Sequence, residues 1–280
     1  MQGYPNSGTP DASRPESRLP EDVHYLRTKI VNVVMIGNPG GQWVLVDTGM
    51  PGSSSKIVKA ARERFAQEKP QAILLTHGHF DHIGSLEDLL ELFPDVPVYA
   101  HEQELPFLTG KADYPPGDPT VGGGLVAASA PFFPNKGIDI GERVQALPAD
   151  GSVPFLPEWH WLHTPGHSEG HISLFRSSDG TLVAGDAFIT VKQESALAVL
   201  TQRREIHGPP TYFTPNWEAA RTSVARLAAL RPASAITGHG EPMAGEELEE
   251  GLQRLSRDFD TMAVPDSGRY VDSAHIDPET

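Results

Sequence analysis

Short apolar runs alternate with longer segments of helical spacing along the chain, which predicts a protein of the α/β class. In the first half, the apolar runs predict strands over residues 29–36, 42–47, 72–76 and 96–100. Apolar positions recur at helical spacing over residues 53–68, and this helix is expected to stop before Pro70. Two shorter helices are expected over residues 85–93 and 102–108.

The second half repeats this alternation. Four further strands are expected, over residues 143–147, 158–163, 171–176 and 181–185. Helices are expected over residues 214–230 and 245–262, the first beginning with Thr214 as its cap and Pro215 at its first position. Two series of strands with interspersed helices favour an αβ/βα sandwich.

The segments between and around these elements predict the domain organisation. Residues 1–22 are rich in Pro, Ser and Gly and are expected to be a mobile lead-in. We expect one domain over residues 23–264 and a tail over 265–280, because the candidate site residues below must converge in one unit. The long Pro- and Gly-rich stretch 109–137 is expected to be a loop that borders the pocket.

The composition of the chain argues against several classes of partner and reaction. A formal net charge of −15 argues against nucleic acid or an anionic membrane as a partner, since both attract basic surfaces. No stretch approaches the roughly 20 apolar residues of a membrane span. The chain has no cysteine, which rules out a thiol nucleophile and, with no secretory signal visible, favours a cytoplasmic location. We expect a small-molecule substrate and take a homodimer as the default assembly.

A dense polar cluster follows the predicted strand 72–76. The run H-x-H-x-D-H places His77, His79, Asp81 and His82 within six positions. Burying these groups together is costly without a compensating charge, and imidazole and carboxylate are ligands that Zn²⁺ accepts. His77 and His79 can point the same way, while Asp81 and His82 are offset. One turn could therefore serve two metal ions.

Three downstream residues lie in the same local setting. Each follows an apolar run and has glycine beside it, which lets backbone and ion approach closely. These residues are His167 in H-T-P-G-H, Asp186 in A-G-D and His239 in T-G-H-G.

Together with Val46-Asp47-Thr48-Gly49, these motifs occur in the order found in a known family. From about Val31 to Gly240 the chain resembles the metallo-β-lactamase superfamily. The resemblance implies a four-layer αβ/βα sandwich with two mixed β-sheets flanked by helices. It also implies two zinc ions per chain, although iron or manganese suits such ligands as well.

The resemblance implies a role for each residue. His77, His79 and His167 would bind the first ion, Asp81, His82 and His239 the second, and Asp186 would bridge them. A hydroxide between the ions would then be the nucleophile.

A bridging carboxylate at Asp186 is typical, within this family, of glyoxalase II-like thioesterases, lactonases and phosphoester hydrolases. True zinc β-lactamases usually have Cys or Ser there. We therefore expect hydrolysis of an ester, lactone or thioester, ahead of a phosphoester or a β-lactam. Two alternatives from other classes are a mononuclear iron oxidoreductase and a metal-binding protein without turnover.

Three further residues, and Asp81 in a second role, are candidates for supporting roles. Asp81 could also shuttle a proton, and Asp47 could orient a metal-bound imidazole or simply bond its own turn. Lys192 could receive a substrate carboxylate or phosphate, or be an ordinary exposed lysine. Tyr212 could donate to a developing oxyanion or pack in the core. His163 and His171 are expected to be structural.

Overall fold

The computed structural model describes residues 19–122, 129–191 and 204–271, and within them eleven strands form two sheets. The six strands of the first sheet lie side by side in chain order: β1 (Val23–Thr28), β2 (Val31–Ile36), β3 (Val44–Val46), β4 (Ile73–Leu74), β5 (Val98–Ala100) and β6 (Val144–Ala146). Neighbours from β1 to β3 pair antiparallel, and those from β3 to β6 pair parallel.

The second sheet has the spatial order β11-β10-β9-β8-β7. Its strands are β7 (His160–His163), β8 (Ile172–Arg176), β9 (Thr181–Gly185), β10 (Ser234–Thr237) and β11 (Met243–Ala244). Only the β9–β10 pair is parallel, so this sheet is mixed like the first.

Seven α-helices lie within the described residues. They are α1 (Ser54–Arg64), α2 (Phe80–Ile83), α3 (Leu86–Leu92), α4 (Leu105–Leu108), α5 (Trp217–Ala229), α6 (Gly245–Arg257) and α7 (Phe259–Met262). None of the helices in this part of the chain is both long and apolar enough to cross a membrane.

The two sheets and the helices that cover their outer faces form four layers, and the side chains of each strand face alternately to one side and the other. On β2, Val33 and Met35 face a core shared with α1 and α3, whereas Val34 and Ile36 face a core between the two sheets. On β9, Val183 joins that central core, while its neighbours face a third core under α5 and α6. Because successive strand side chains point to opposite faces, each sheet needs cover on both sides. The predicted αβ/βα sandwich is confirmed.

The observed elements differ from the predictions at several ends. Strands β1 and β11 were not predicted, and β10 was noted only as the apolar run before His239. The predicted helix 245–262 is divided at Asp258 into α6 and α7. Helix α5 begins at Trp217 with Asn216 as its cap, so the prediction of a Thr214 cap is wrong. The Thr214 hydroxyl instead donates to the Pro210 carbonyl oxygen at 2.8 Å.

Part of the predicted tail packs on the loop that follows α4. The Arg269 backbone N–H donates to the Asp118 carboxylate, and the Tyr270 hydroxyl donates to the Pro116 carbonyl oxygen at 2.7 Å. The domain limits at 23 and 264 stay predictions. The ends of the chain, residues 1–18 and 272–280, lie outside the described residues.

Removing the Asn216 cap is expected to destabilise the fold. The Asn216 Oδ1 accepts a hydrogen bond from the Ala219 N–H at 3.0 Å, so Asn216→Ala leaves that donor unpaired. The expected loss is about 1 kcal/mol of unfolding free energy, or a Tm lower by about 2–4 °C. Thermal unfolding followed by circular dichroism measures it. Asn216→Asp keeps the acceptor and should retain the wild-type Tm; an unchanged Tm in Asn216→Ala would contradict the cap's role.

Candidate metal centre

Seven buried histidine and aspartate side chains converge where strands of both sheets end, each less than 8% exposed. Parallel strands bring their carboxyl ends to one edge of a sheet, which is why residues distant in the chain meet there. The residues are His77 and His79 after β4, Asp81 and His82 on α2, His167 between β7 and β8, Asp186 after β9, and His239 after β10.

The ligand atoms of these residues form three overlapping groups. Within each group, the nitrogen and oxygen atoms lie within 4.8 Å of one another. The groups are His77-His79-His167, His77-His82-Asp186 and Asp81-His82-His239. The first and third correspond to the two predicted metal positions, and the second joins them.

Asp186 lies between the two positions. Its Oδ2 atom is 3.5 Å from His167 Nε2, 3.4 Å from His82 Nε2 and 3.2 Å from His239 Nε2. Gly238 packs so closely that a Cβ atom there would lie 1.9 Å from Asp186 Oδ1, as expected for glycine beside a crowded site. The carboxylate thus contacts imidazoles from both groups.

The donor set fits a pair of divalent cations. Three buried atoms at its centre, His77 Nε2, His82 Nε2 and Asp186 Oδ1, form no hydrogen bond with any residue that the structure describes. Buried polar atoms are ordinarily satisfied, so this concentration of unsatisfied nitrogen and oxygen indicates a missing partner. Histidine and carboxylate donors match zinc, iron and manganese.

Electrostatics divides the imidazoles into two kinds. Burial and neighbouring imidazoles lower the pKa of His79 to about 3 and hold the pKa values of His77 and His167 well below 6.5. These three rings are therefore neutral, which is the form that binds metal. Burial alone would lower the pKa of His82, but Asp186, Asp47 and Asp81 together raise it.

Asp47 orients His82, in agreement with one of its two predicted roles. Its Oδ2 is 2.8 Å from His82 Nδ1, and its carboxylate also accepts from the Thr76 N–H at 2.8 Å and the Thr76 hydroxyl at 2.7 Å. The turn holds Asp47 in the left-handed region, at φ 59°. His171, predicted to be structural, accepts from the Asp186 N–H through Nε2 at 2.9 Å.

A cavity of about 220 Å³ opens onto His79 and His167. Aromatic rings form much of its wall, contributed by Phe107, Tyr114, Phe213 and Tyr270. The predicted 109–137 loop therefore borders this pocket through Tyr114 and Pro115.

Of the predicted catalytic residues, Tyr212 does not line this cavity, and Lys192 has no described position. Lys192 lies outside the described residues. Tyr212 is 4% exposed and packs against Phe133 and Phe213. Its neighbour Phe213 lines the cavity wall instead. A role for either in catalysis stays a prediction.

Two residues beside the centre were given no role by the sequence analysis, although Tyr114 lies in the loop expected to border the pocket. Tyr114 packs its ring against His79, with centroids 4.7 Å apart. Glu104 is fully buried, and its carboxylate bonds the loops on both sides of the first ligand group. Each is a single residue without a spacing pattern, so no sequence signal marked it.

The metallo-β-lactamase superfamily model matches residues 26–239 of the chain. "Probable metallo-hydrolase YflN" from Bacillus subtilis (strain 168) is 53% identical over 237 residues, covering 84% of this chain and 89% of the relative. "Hydroxyacylglutathione hydrolase" from Erwinia tasmaniensis is 29% identical over 155 residues, covering 55% of this chain and 46% of the relative.

Among solved structures, TTHA1623 in a di-iron-bound form superposes with a TM-score of 0.52 at 25% identity, covering 84% of this chain and 96% of that one. Sequence and architecture therefore agree with the motifs that converge at the metal centre. Because the family model spans most of the chain and the YflN relative aligns over most of both lengths, the chain belongs to the metallo-β-lactamase superfamily.

Proposed function

We propose that this chain is a metal-dependent hydrolase with two metal positions that cleaves an ester, lactone or thioester bond in a small molecule. The observation that carries the proposal is Asp186 Oδ2 lying within 3.5 Å of imidazole nitrogens from both ligand groups. The name of the YflN relative supports a metal-dependent hydrolase. The cytoplasmic location and the homodimer stay predictions.

The residues would divide the chemistry as follows. A bound pair of cations supplies Lewis-acid polarisation of a carbonyl and a water acidic enough to ionise near neutral pH. His77, His79 and His167 would hold one cation, and Asp81, His82 and His239 the other, with Asp186 shared. Asp81, whose Oδ2 lies 3.4 Å from His239 Nε2, would also take up a proton during hydrolysis.

The cavity favours a carbonyl substrate over a phosphoester. Its described walls are largely aromatic rings and prolines, and no lysine or arginine of the described residues lines it. Beyond the cations themselves, the negative charge of a phosphoester would meet only aromatic faces and the nearby Glu169, which do not stabilise it. The hydroxyacylglutathione hydrolase relative supports including thioesters among the candidates.

The test combines metal removal with a substrate panel. Chelation should abolish hydrolysis of an ester, a lactone or a thioester, and Zn²⁺, Mn²⁺ or Fe²⁺ should restore it, with elemental analysis finding two ions per chain. A phosphoester and a chromogenic β-lactam serve as comparison substrates. Full activity without measurable metal would end the proposal. One iron per chain would favour an oxidoreductase, and two bound ions without turnover would favour a binding protein.

A further inference from the structure

Glu104 is a carboxylate with no exposed surface, close to the metal centre but outside the predicted ligand set. It lies in a 3₁₀ turn after β5, two residues from the exposed Glu102. A buried carboxylate without a cationic partner is costly unless several donors stabilise it. Its hydrogen bonds therefore indicate what this side chain does.

Four neutral donors from three segments converge on the two carboxylate oxygens. Oε2 accepts from the Gly78 N–H at 2.9 Å and from the Tyr114 hydroxyl. Oε1 accepts from the Ser168 hydroxyl at 2.6 Å and from the Gly170 N–H at 3.0 Å.

Three of these donors, from Gly78, Ser168 and Gly170, belong to the turns that carry the first ligand group. Gly78 lies between His77 and His79, which follow a strand of the first sheet. Ser168 directly follows His167, which lies between two strands of the second sheet. One carboxylate therefore links two turns that are distant in sequence and belong to different sheets.

The glycines leave the space that this arrangement needs. A Cβ atom on Gly170 would lie 2.7 Å from Glu104 Cγ, and one on Gly78 would lie 2.3 Å from the Tyr114 hydroxyl oxygen. Both distances are shorter than real Cβ contacts. The two turns are thus shaped around the Glu104 side chain and its Tyr114 partner.

We propose that Glu104 is a positioning residue that fixes the His77–His79 turn against the His167 turn, and through Tyr114 fixes the pocket wall beside His79. The inference rests on the proposed metal positions. Glu104 is assigned to the first metal position alone. The four hydrogen bonds of its carboxylate reach neither the loop of Asp186 nor that of His239.

The test is a Co²⁺ titration of wild type, Glu104→Gln and Glu102→Gln, with visible spectra reporting each position. The wild type should bind two ions. Glu104→Gln replaces one oxygen with an NH₂ group that faces donors, so affinity at one position should fall about 10–100-fold while the other is retained. Glu102→Gln, the exposed neighbour, should behave as wild type.

Two further measurements separate positioning from a general effect on folding. In metal-free protein, amide hydrogen exchange at Gly78 and Gly170 should be faster in Glu104→Gln than in wild type. Tyr114→Phe removes one bond and keeps the ring, so it should raise KM with little change in kcat or in metal affinity.

Ser168→Ala provides a milder variant if Glu104→Gln does not fold. It removes one donor to Oε1 and should weaken the same single position by several-fold. A lower Tm with unchanged metal affinity, or equal losses at both positions, would overturn the assignment of Glu104. A wild type that binds fewer than two ions would overturn the proposed function itself.

Discussion

Replacing Asp186 with asparagine is expected to lower kcat/KM by about a thousand-fold and to reduce the bound metal from two ions per chain to one or none. Asp186 Oδ2 faces imidazole nitrogens of His82, His167 and His239. An amide removes the negative charge shared by the two positions. The NH₂ group of the asparagine would also place a hydrogen-bond donor towards one of the two metal positions.

Steady-state kinetics and elemental analysis after dialysis measure both effects. Asp179→Asn is a matched control, because Asp179 precedes the same strand β9 and its carboxylate bonds Arg176 and Thr181, away from the metal centre. That variant should keep two ions and wild-type turnover. If Asp186→Asn retains two ions and kcat/KM within about tenfold of wild type, Asp186 does not bridge.

The second largest effect is expected from Asp47→Asn, which should weaken metal binding about 10–100-fold while the protein stays folded. The Asp47 carboxylate can only accept, so it keeps a proton on His82 Nδ1, 2.8 Å away, and makes Nε2, which faces Asp186, the nitrogen that would bind a metal ion. An amide NH₂ group at Asp47 would donate to Nδ1 instead. His82 would then carry its proton on Nε2, the atom that must bind metal.

Metal titration with a competing chelator measures the affinity, and thermal unfolding confirms the fold. Asp150→Asn is the control, since Asp150 accepts from the Ser152 N–H and hydroxyl much as Asp47 accepts from Thr76, but in an exposed turn. It should leave metal affinity unchanged. Equal affinities in the Asp47→Asn variant and wild type would show that Asp47 only supports its own turn.

The convergence of the seven candidate ligands was more predictable than the elements that carry them. His77, His79, Asp81 and His82 are close in sequence, so a short turn brings them together whatever the rest of the chain does. Each of the other three follows an apolar run and has glycine beside it, and such local patterns can be recognised in the sequence alone. These residues are His167, Asp186 and His239. Glu104 could not be found this way, because its four partners are scattered between Gly78 and Gly170.

The missed elements have equally physical reasons. Strand β1 has the sequence VHYLRT and is half-buried over its central residues, so it lacks a clear apolar alternation. Strand β11 has only two residues. At helix α5, Thr214 and Asn216 are both good cap residues, and the choice is visible only in the fold, where Asn216 accepts from the Ala219 N–H and Thr214 bonds Pro210.

The cavity walls have a consequence for how this protein could diversify. Tyr114, Phe213 and Tyr270 come from connecting segments and Phe107 from the short helix α4, whereas most of the metal-facing groups lie at strand ends or on α2. Loops tolerate sequence change better than buried strands do. Substrate selectivity can therefore change through substitutions in the cavity wall while the metal-facing residues stay the same. Relatives with the same metal-facing residues need not share a substrate.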